Sequence, residues 1–312
     1  MYDDTTSLQQ ILDEDTRTGK FILTGSNNFL LQENISQSLS GRIAYLVLLP
    51  FSFSEVNAAR ATDVPVMLFK GLYPPLFDQP LEPVKWFPNY IRTYIERDVR
   101  QLKNITDLVT FEKFIRLCAG RTGQLLNMSS LAIETGVDSK TISAWISVLE
   151  SSFILYRLQP HHKNFNKRVV KMPKLYFYDT GLLCSLLGIR EPAQIPFHPL
   201  YGSIFENFVV SEVIKYRYNR GDYEPVFFWR DSLGHEIDIV IEKTSCLYPI
   251  EVKSGKTITP EYFKNLNYWL KLSGESKGAV IYSGNEAQFR SGGIEVLPWY
   301  QLENLQGFEH RA

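Results

Sequence analysis

Two short stretches late in the chain constrain its fold most: Glu-Ile-Asp-Ile-Val-Ile at 236–241 and Leu-Tyr-Pro-Ile-Glu-Val-Lys at 247–253. Both have the β-branched and aromatic content of strands, and the connection from Lys243 to Cys246 is short enough for an antiparallel hairpin. A period of two puts Ile237, Ile239 and Ile241 on one face and Asp238 with Val240 on the other. In the next strand Glu251 and Lys253 share a face, with Val252 opposite. Asp238 and Glu251 are therefore expected side by side.

Two close buried carboxylates repel each other, and a divalent cation resolves that repulsion. Oxygen ligands on such a frame suit Mg²⁺ or Mn²⁺, with Asp238 and Glu251 as the metal ligands. Lys253 would then orient a water or stabilise charge at a scissile phosphate. Glu206, on the preceding helix, supplies a third acidic group. The same spacing also suits a structural hairpin with an internal Glu–Lys pair.

The surroundings alternate helix and strand. Helices are expected at Gly202 to Tyr218 and Lys264 to Leu272. Strands are expected at Val226 to Trp229, Ala279 to Tyr282 and Ile294 to Leu297. Together these make a helix-flanked mixed sheet.

Upstream, residues 107 to 160 hold a helical cluster. Phe111, Phe114, Ile115 and Leu117 mark the first helix, Ser129 to Thr135 the second, and Gly136 breaks it. A third begins at Ser139, with Ile142, Trp145, Ile146 and Leu149 facing a core. Short helix, glycine turn and capped helix is a helix-turn-helix arrangement, and Phe153 to Leu158 would form its wing. A basic run follows: Arg157, Lys163, Lys167, Arg168, Lys171 and Lys174, with no acid between Glu150 and Asp179. Such a wing would track a phosphate backbone, with Lys163, Lys167, Arg168 and Lys171 as the DNA contacts; a solubilising loop is the other reading.

Residues 61 to 84, with Pro65, Gly71, Pro74, Pro75, Pro80 and Pro83, read as a linker, followed by a long helix from about Trp86 to Leu102. At the front, Phe21-Ile22-Leu23 reads as a short buried strand and Ile43 to Leu49 as another.

Composition narrows the function classes. The 312 residues carry 33 Lys and Arg against 34 Asp and Glu, a net charge of -1, so bulk charge does not bind nucleic acid. Cys118, Cys184 and Cys246 are too dispersed for a cysteine zinc site and fit a reducing cytoplasm. No signal-like run opens the sequence, and the longest apolar run, Ile43 to Phe51, is too short to span a bilayer.

The Asp…Glu-x-Lys arrangement resembles the PD-(D/E)xK nuclease superfamily. The whole chain resembles a bacterial and archaeal family of AAA+-type ATPases with a C-terminal domain of unknown function related to the restriction-endonuclease fold. The matching stretches are Gly-Lys-Phe-Ile-Leu-Thr-Gly-Ser (19–26), Ser-Leu-Ser-Gly-Arg (38–42), Leu-Leu-Pro-Phe-Ser (48–52), Tyr-Ile-Glu-Arg-Asp-Val (94–99), Tyr-Phe-Tyr-Asp-Thr-Gly-Leu (176–182), Gly-Ser-Ile-Phe-Glu-Asn (202–207) and Glu-Val-Lys-Ser-Gly (251–255). The resemblance implies that Thr24, Ser26 or Asn27 lies near a γ-phosphate, that Arg42 reads nucleotide state, and that Glu206, Asp238, Glu251 and Lys253 are the catalytic set. It departs from the family at the Walker A and Walker B motifs: no GxxxxGK[ST] occurs in the sequence, and Ser254-Gly255-Lys256-Thr257 lacks the earlier glycine and the following helix.

The expected organisation is the C-terminal part of an AAA+-like ATPase domain at 1–60, linker and long helix at 61–106, a winged-helix-like domain at 107–178 and a nuclease-like domain at 179–312. The expected fold class is multidomain α/β: a remnant ATPase sheet, a helical middle and a restriction-endonuclease-like mixed sheet. The expected protein resembles an N-terminally truncated family member, cytoplasmic and DNA-binding, with a Mg²⁺- or Mn²⁺-dependent nuclease-like domain. It would not hydrolyse ATP alone, the nucleotide-sensing residues being vestigial unless the missing P-loop is restored upstream or supplied in trans; DNA and a homo-oligomer or an intact ATPase are the expected partners. The alternative is a non-enzymatic DNA- or protein-binding remnant with a degenerate nuclease fold.

Overall fold

The computed structural model describes residues 17, 19, 21–22, 43–56, 63–94, 107–162, 165, 169–243 and 246–305. The contacts divide the chain into residues 1–47 and 48–312. In the first unit Phe21, Ile22 and Ile43 to Val47 adopt no strand, and Ile22 is exposed. Leu48 and Leu49 extend the same irregular stretch. Both apolar runs were expected as strands. An isolated strand gains nothing without a ladder partner, and none pairs with them among the described residues.

In the second unit the expected linker is packed helix. Helices α1 (Val64–Lys70) and α2 (Pro75–Asp78) bury Val64, Met67, Leu68 and Leu76. Pro65, Pro75 and Pro83 stand in the first turns of helices, where a missing N–H costs nothing and the fixed φ favours the helix, and Pro74 is the N-cap of α2; Pro80 alone lies between helices. Helix α3 (Pro83–Tyr94) follows; the rest of the long expected helix lies outside the described residues.

Helices α4 (Leu108–Ala119), α5 (Met128–Thr135) and α6 (Ser139–Ser151) form the helical cluster. Asn127 and Asp138 cap α5 and α6 by accepting the Ser130 and the Lys140 and Thr141 N–H groups, and Gly136 ends α5 at φ 89°. Trp145 of α6 packs against Phe111 and Phe114 of α4, with ring centroids 5.2 and 5.3 Å away.

Strands β1 (Leu155–Pro160) and β2 (Lys174–Phe177) pair antiparallel where a wing was expected. They are not a free wing. β1 also pairs in parallel with β3 (Val226–Arg230), so the hairpin belongs to one eight-stranded mixed sheet. The remaining strands are β4 (Glu236–Glu242), β5 (Leu247–Lys253), β6 (Gly278–Tyr282), β7 (Gln288–Arg290) and β8 (Ile294–Pro298), in the order β2-β1-β3-β4-β5-β6-β8-β7. Helix α8 (Tyr201–Tyr218) packs on one face with Ile239, Ile241, Ile250 and Ile281. Helix α9 (Lys264–Ser273) covers the other with Trp229, Val240 and Val280. The chain is thus α/β, with a helical first part and a mixed sheet in its C-terminal half.

Two of the quoted motifs have structural roles. In Tyr-Asp-Thr-Gly-Leu, Asp179 caps α7 (Thr180–Leu186) by accepting the Leu182 N–H and also accepts the Leu72 N–H. Gly181 lies where a Cβ would come within 2.6 Å of the Phe87 ring, so only glycine fits. In Gly-Ser-Ile-Phe-Glu-Asn, Asn207 accepts the Phe177 N–H and the Thr122 hydroxyl while donating to the Phe177 carbonyl. It acts as a backbone partner at the end of β2.

A candidate metal centre where two strands part

The β4–β5 ladder runs from Glu242↔Leu247 to Ile239↔Ile250. Beyond it β5 continues against β6, with Glu251↔Val280 and Lys253↔Tyr282. At the parting point Asp238 Oδ2 accepts the Val252 N–H at 2.7 Å, replacing the lost backbone acceptor with a carboxylate.

Asp238 does not stand on the face expected from strict alternation. Phe227 pairs with Val240 but Trp229 pairs with Ile237, so three residues of β4 span two of β3. This bulge shifts the phase. Ile239 and Ile241 pack in the core beneath α8, whereas Ile237 and Val240 pack beneath α9. Asp238 and Glu236 meet Glu206 of α8: one carboxylate oxygen of each lies within 4.8 Å of the others, an arrangement that could hold a metal ion.

Lys174, on β2, is already among these acids. Its side chain is 3% exposed, and its ammonium donates to Glu206 at 2.9 Å and to Glu236. Burial disfavours the charged lysine, yet Glu206, Glu236 and Asp238 together raise its pKa. Tyr176 donates its hydroxyl to the same Glu206 oxygen, and Arg230 donates to Glu236 at 2.9 Å. Lys253 pairs with Glu251, which is 1% exposed and keeps its Oε1 buried without a partner. Burial and then Asp238 push the Glu251 carboxyl well above the usual range, against the pull of Lys253. Burial also opposes the charge on Lys253, but Asp238 and Glu251 raise its pKa overall.

Burial, followed by Asp238, raises Glu206 to about 7 against the opposing pull of Lys174. Folding therefore takes up a proton at Glu206. Its stabilising contribution is full below the unfolded value of 4.5 and is lost as pH rises through about 7. Glu206→Gln is expected to flatten the fall of stability between these values in metal-free buffer. Urea unfolding at a series of pH values measures it; an unaltered slope would refute the assignment.

The four residues singled out from sequence thus lie around one strand parting. Glu236, Lys174, Tyr176 and Arg230 join them and were missed. Glu236 stands two residues before Asp238, which period-two counting could have flagged; nothing in the sequence ties Lys174 or Tyr176 to this place. One lysine of the basic run is buried. Lys174 is internal and committed to Glu206 and Glu236, and Arg157 is held by Glu150 at 2.6 and 2.8 Å. Lys171 is exposed. Lys163, Lys167, Arg168, Thr24, Ser26, Asn27 and Arg42 lie outside the described residues. Among the described residues no helix is long and apolar enough to cross a membrane.

Known proteins resemble the chain in three segments. Residues 3–57 match an AAA domain, residues 61–193 a domain of unknown function, DUF8612, and residues 201–302 a second one, DUF4143. An uncharacterized protein of Mycobacterium tuberculosis is 26% identical over 297 residues, 95% of this chain and 65% of its own length. An uncharacterized protein of Haemophilus influenzae is 24% identical over 292 residues, covering 88% of this chain and 68% of that one. One from Methanocaldococcus jannaschii is 26% identical over 221 residues, 68% and 43% respectively. The chain therefore spans just under two thirds of the length of the mycobacterial relative. No solved structure matches it at a significant level.

Proposed function

We propose that the C-terminal half is a nuclease-like domain that holds Mg²⁺ or Mn²⁺ on Asp238 and Glu251 and acts on DNA. The observation that carries the reading is Glu251 Oε1: a buried, unpartnered carboxylate oxygen beside Lys253, at the parting where Asp238 has turned in. A buried acceptor left unsatisfied is costly, and a hard cation is the partner that an all-carboxylate donor set suits. Asp238, close enough for its charge to act on Glu251, and Glu251 itself would hold such an ion. When bound it would supply a polarised phosphoryl oxygen and a more acidic water. Lys253, tied to Glu251, would hold positive charge beside a phosphate bound at that ion. Lys171, with Lys163, Lys167 and Arg168, would track the strand. The sequence carries no P-loop, so ATP hydrolysis by this chain alone is no part of the reading.

A second reading has its own support. Lys174 answers Glu206 and Glu236, Arg230 answers Glu236 and Lys253 answers Glu251, so most of the cluster's charge is balanced internally. That balance suits a degenerate nuclease fold that only binds DNA or protein.

Nicking of supercoiled plasmid separates the two. In Mn²⁺ the protein is expected to nick DNA, and Asp238→Asn to lose at least about a hundredfold of that rate. The variant should also lose any Mn²⁺-dependent rise in melting temperature. Neither nicking nor metal stabilisation in the wild type would leave the non-enzymatic reading.

A further inference from the structure

The cluster is divided by Lys174. Its ammonium lies against Glu206 and Glu236, two of the three acids whose oxygens converge within 4.8 Å. It thereby takes the place a cation would take. The lysine comes from β2, far in sequence from its partners, and Tyr176 on the same strand grips Glu206 as well. Glu251, with its unpartnered buried oxygen, is absent from that convergent group and makes its ion pair with Lys253.

Moving Lys174 aside to admit a metal would leave a buried ammonium unpaired, among the more costly changes a protein can undergo. Charge counting points the same way. In the fully ionised form that a bound cation requires, Glu206, Glu236, Asp238 and Glu251 set four negative groups against three positive ones, Lys174, Lys253 and Arg230. One divalent ion together with one phosphodiester charge brings that sum to neutral; a second ion would overshoot it.

We propose that Lys174 is a built-in counter-ion that excludes a divalent cation from the Glu206–Glu236 half of the cluster and restricts the centre to a single ion at Asp238 and Glu251. The inference rests on the metal reading above for where the one ion sits, but its own content is the exclusion. Lys174 is on this account a positioning residue: it holds Glu206 and Glu236 away from metal and sets the ion count.

The test is a Mn²⁺ titration of the full chain, followed by calorimetry and by the electron paramagnetic resonance signal of free Mn²⁺. Wild-type protein is expected to bind one ion, and Lys174→Met to bind two. Lys174→Gln, which keeps a donor for Glu206 or Glu236 without the charge, should behave as Lys174→Met does. A wild type that binds two ions, or variants that still bind one, would overturn the proposal. A wild type that binds none would sink the metal reading separately. The exclusion would then stand if either variant gains an ion, and fall if neither does. Should both variants fold only in millimolar Mn²⁺, the metal has replaced the ammonium, as proposed. Variants that stay unfolded in Mn²⁺ would show that no free cation can take its place, against the proposal.

Discussion

Lys215→Met is expected to lower the free energy of unfolding by about 3–5 kcal/mol, the cost of stranding one member of a buried ion pair. Lys215 is 1% exposed and donates to Glu212 Oε1 and to the Phe51 carbonyl, both at 3.0 Å. The other Glu212 oxygen accepts the Phe53 N–H at 2.6 Å. These bonds hold the 51–55 segment against the C-terminal half of α8, and Glu55 continues the contact by accepting from Asn219 at 3.0 Å. Without Lys215, Glu212 keeps a buried charge whose pKa burial already raises, and Phe51 loses its donor. Urea unfolding measures the loss. Glu212→Gln combined with Lys215→Met removes the stranded charge and should recover part of it. A single variant within about 1 kcal/mol of wild type would show that the pair contributes little.

Asp179→Ala should cost a similar amount, about 3–5 kcal/mol, for a different reason. The aspartate is 1% exposed and accepts two backbone N–H groups, from Leu182 at 2.9 Å and Leu72 at 2.6 Å. Each buried donor left unsatisfied costs about 1–3 kcal/mol, and the cap of α7 is lost as well. Burial raises the Asp179 pKa, opposed by Lys215 and by the accepted N–H groups. Asp179→Asn, which retains one acceptor, should lose less than the alanine variant. Hydrogen exchange at the Leu72 and Leu182 amides gives the local readout. Protection unchanged in Asp179→Ala would contradict the assigned bonds.

The two predictions concern residues inside quoted motifs or beside them, and they show where sequence reading stops. Asp179 was visible as part of Tyr-Asp-Thr-Gly-Leu, but its partner Leu72 lies more than a hundred positions earlier, in a stretch whose prolines read as a linker. Proline marks both helix starts and breaks, and the burial of Leu68 and Leu72 decided between them here. The run Ile43 to Leu49 erred in the opposite direction: β-forming residues without a ladder partner make no strand.

By itself the sequence determined the elements whose information is local. Periodicity set helix α8 and strands β3 to β6 to within a residue or two, and glycine and capping residues delimited α5 and α6. It also determined that Asp238, Glu251 and Lys253 come from adjacent strands, because a short connection leaves a hairpin few alternatives. Only the tertiary structure decided the face on which Asp238 stands, since a one-residue bulge reverses the alternation and depends on how β3 lies against β4. Tertiary structure likewise decided the fate of Lys174. A lysine in a basic run carries no mark of burial, and it became the counter-ion of Glu206 and Glu236 only because β2 and α8 pack side by side. Coulomb interactions depend on distance in space, and the sequence records only distance along the chain.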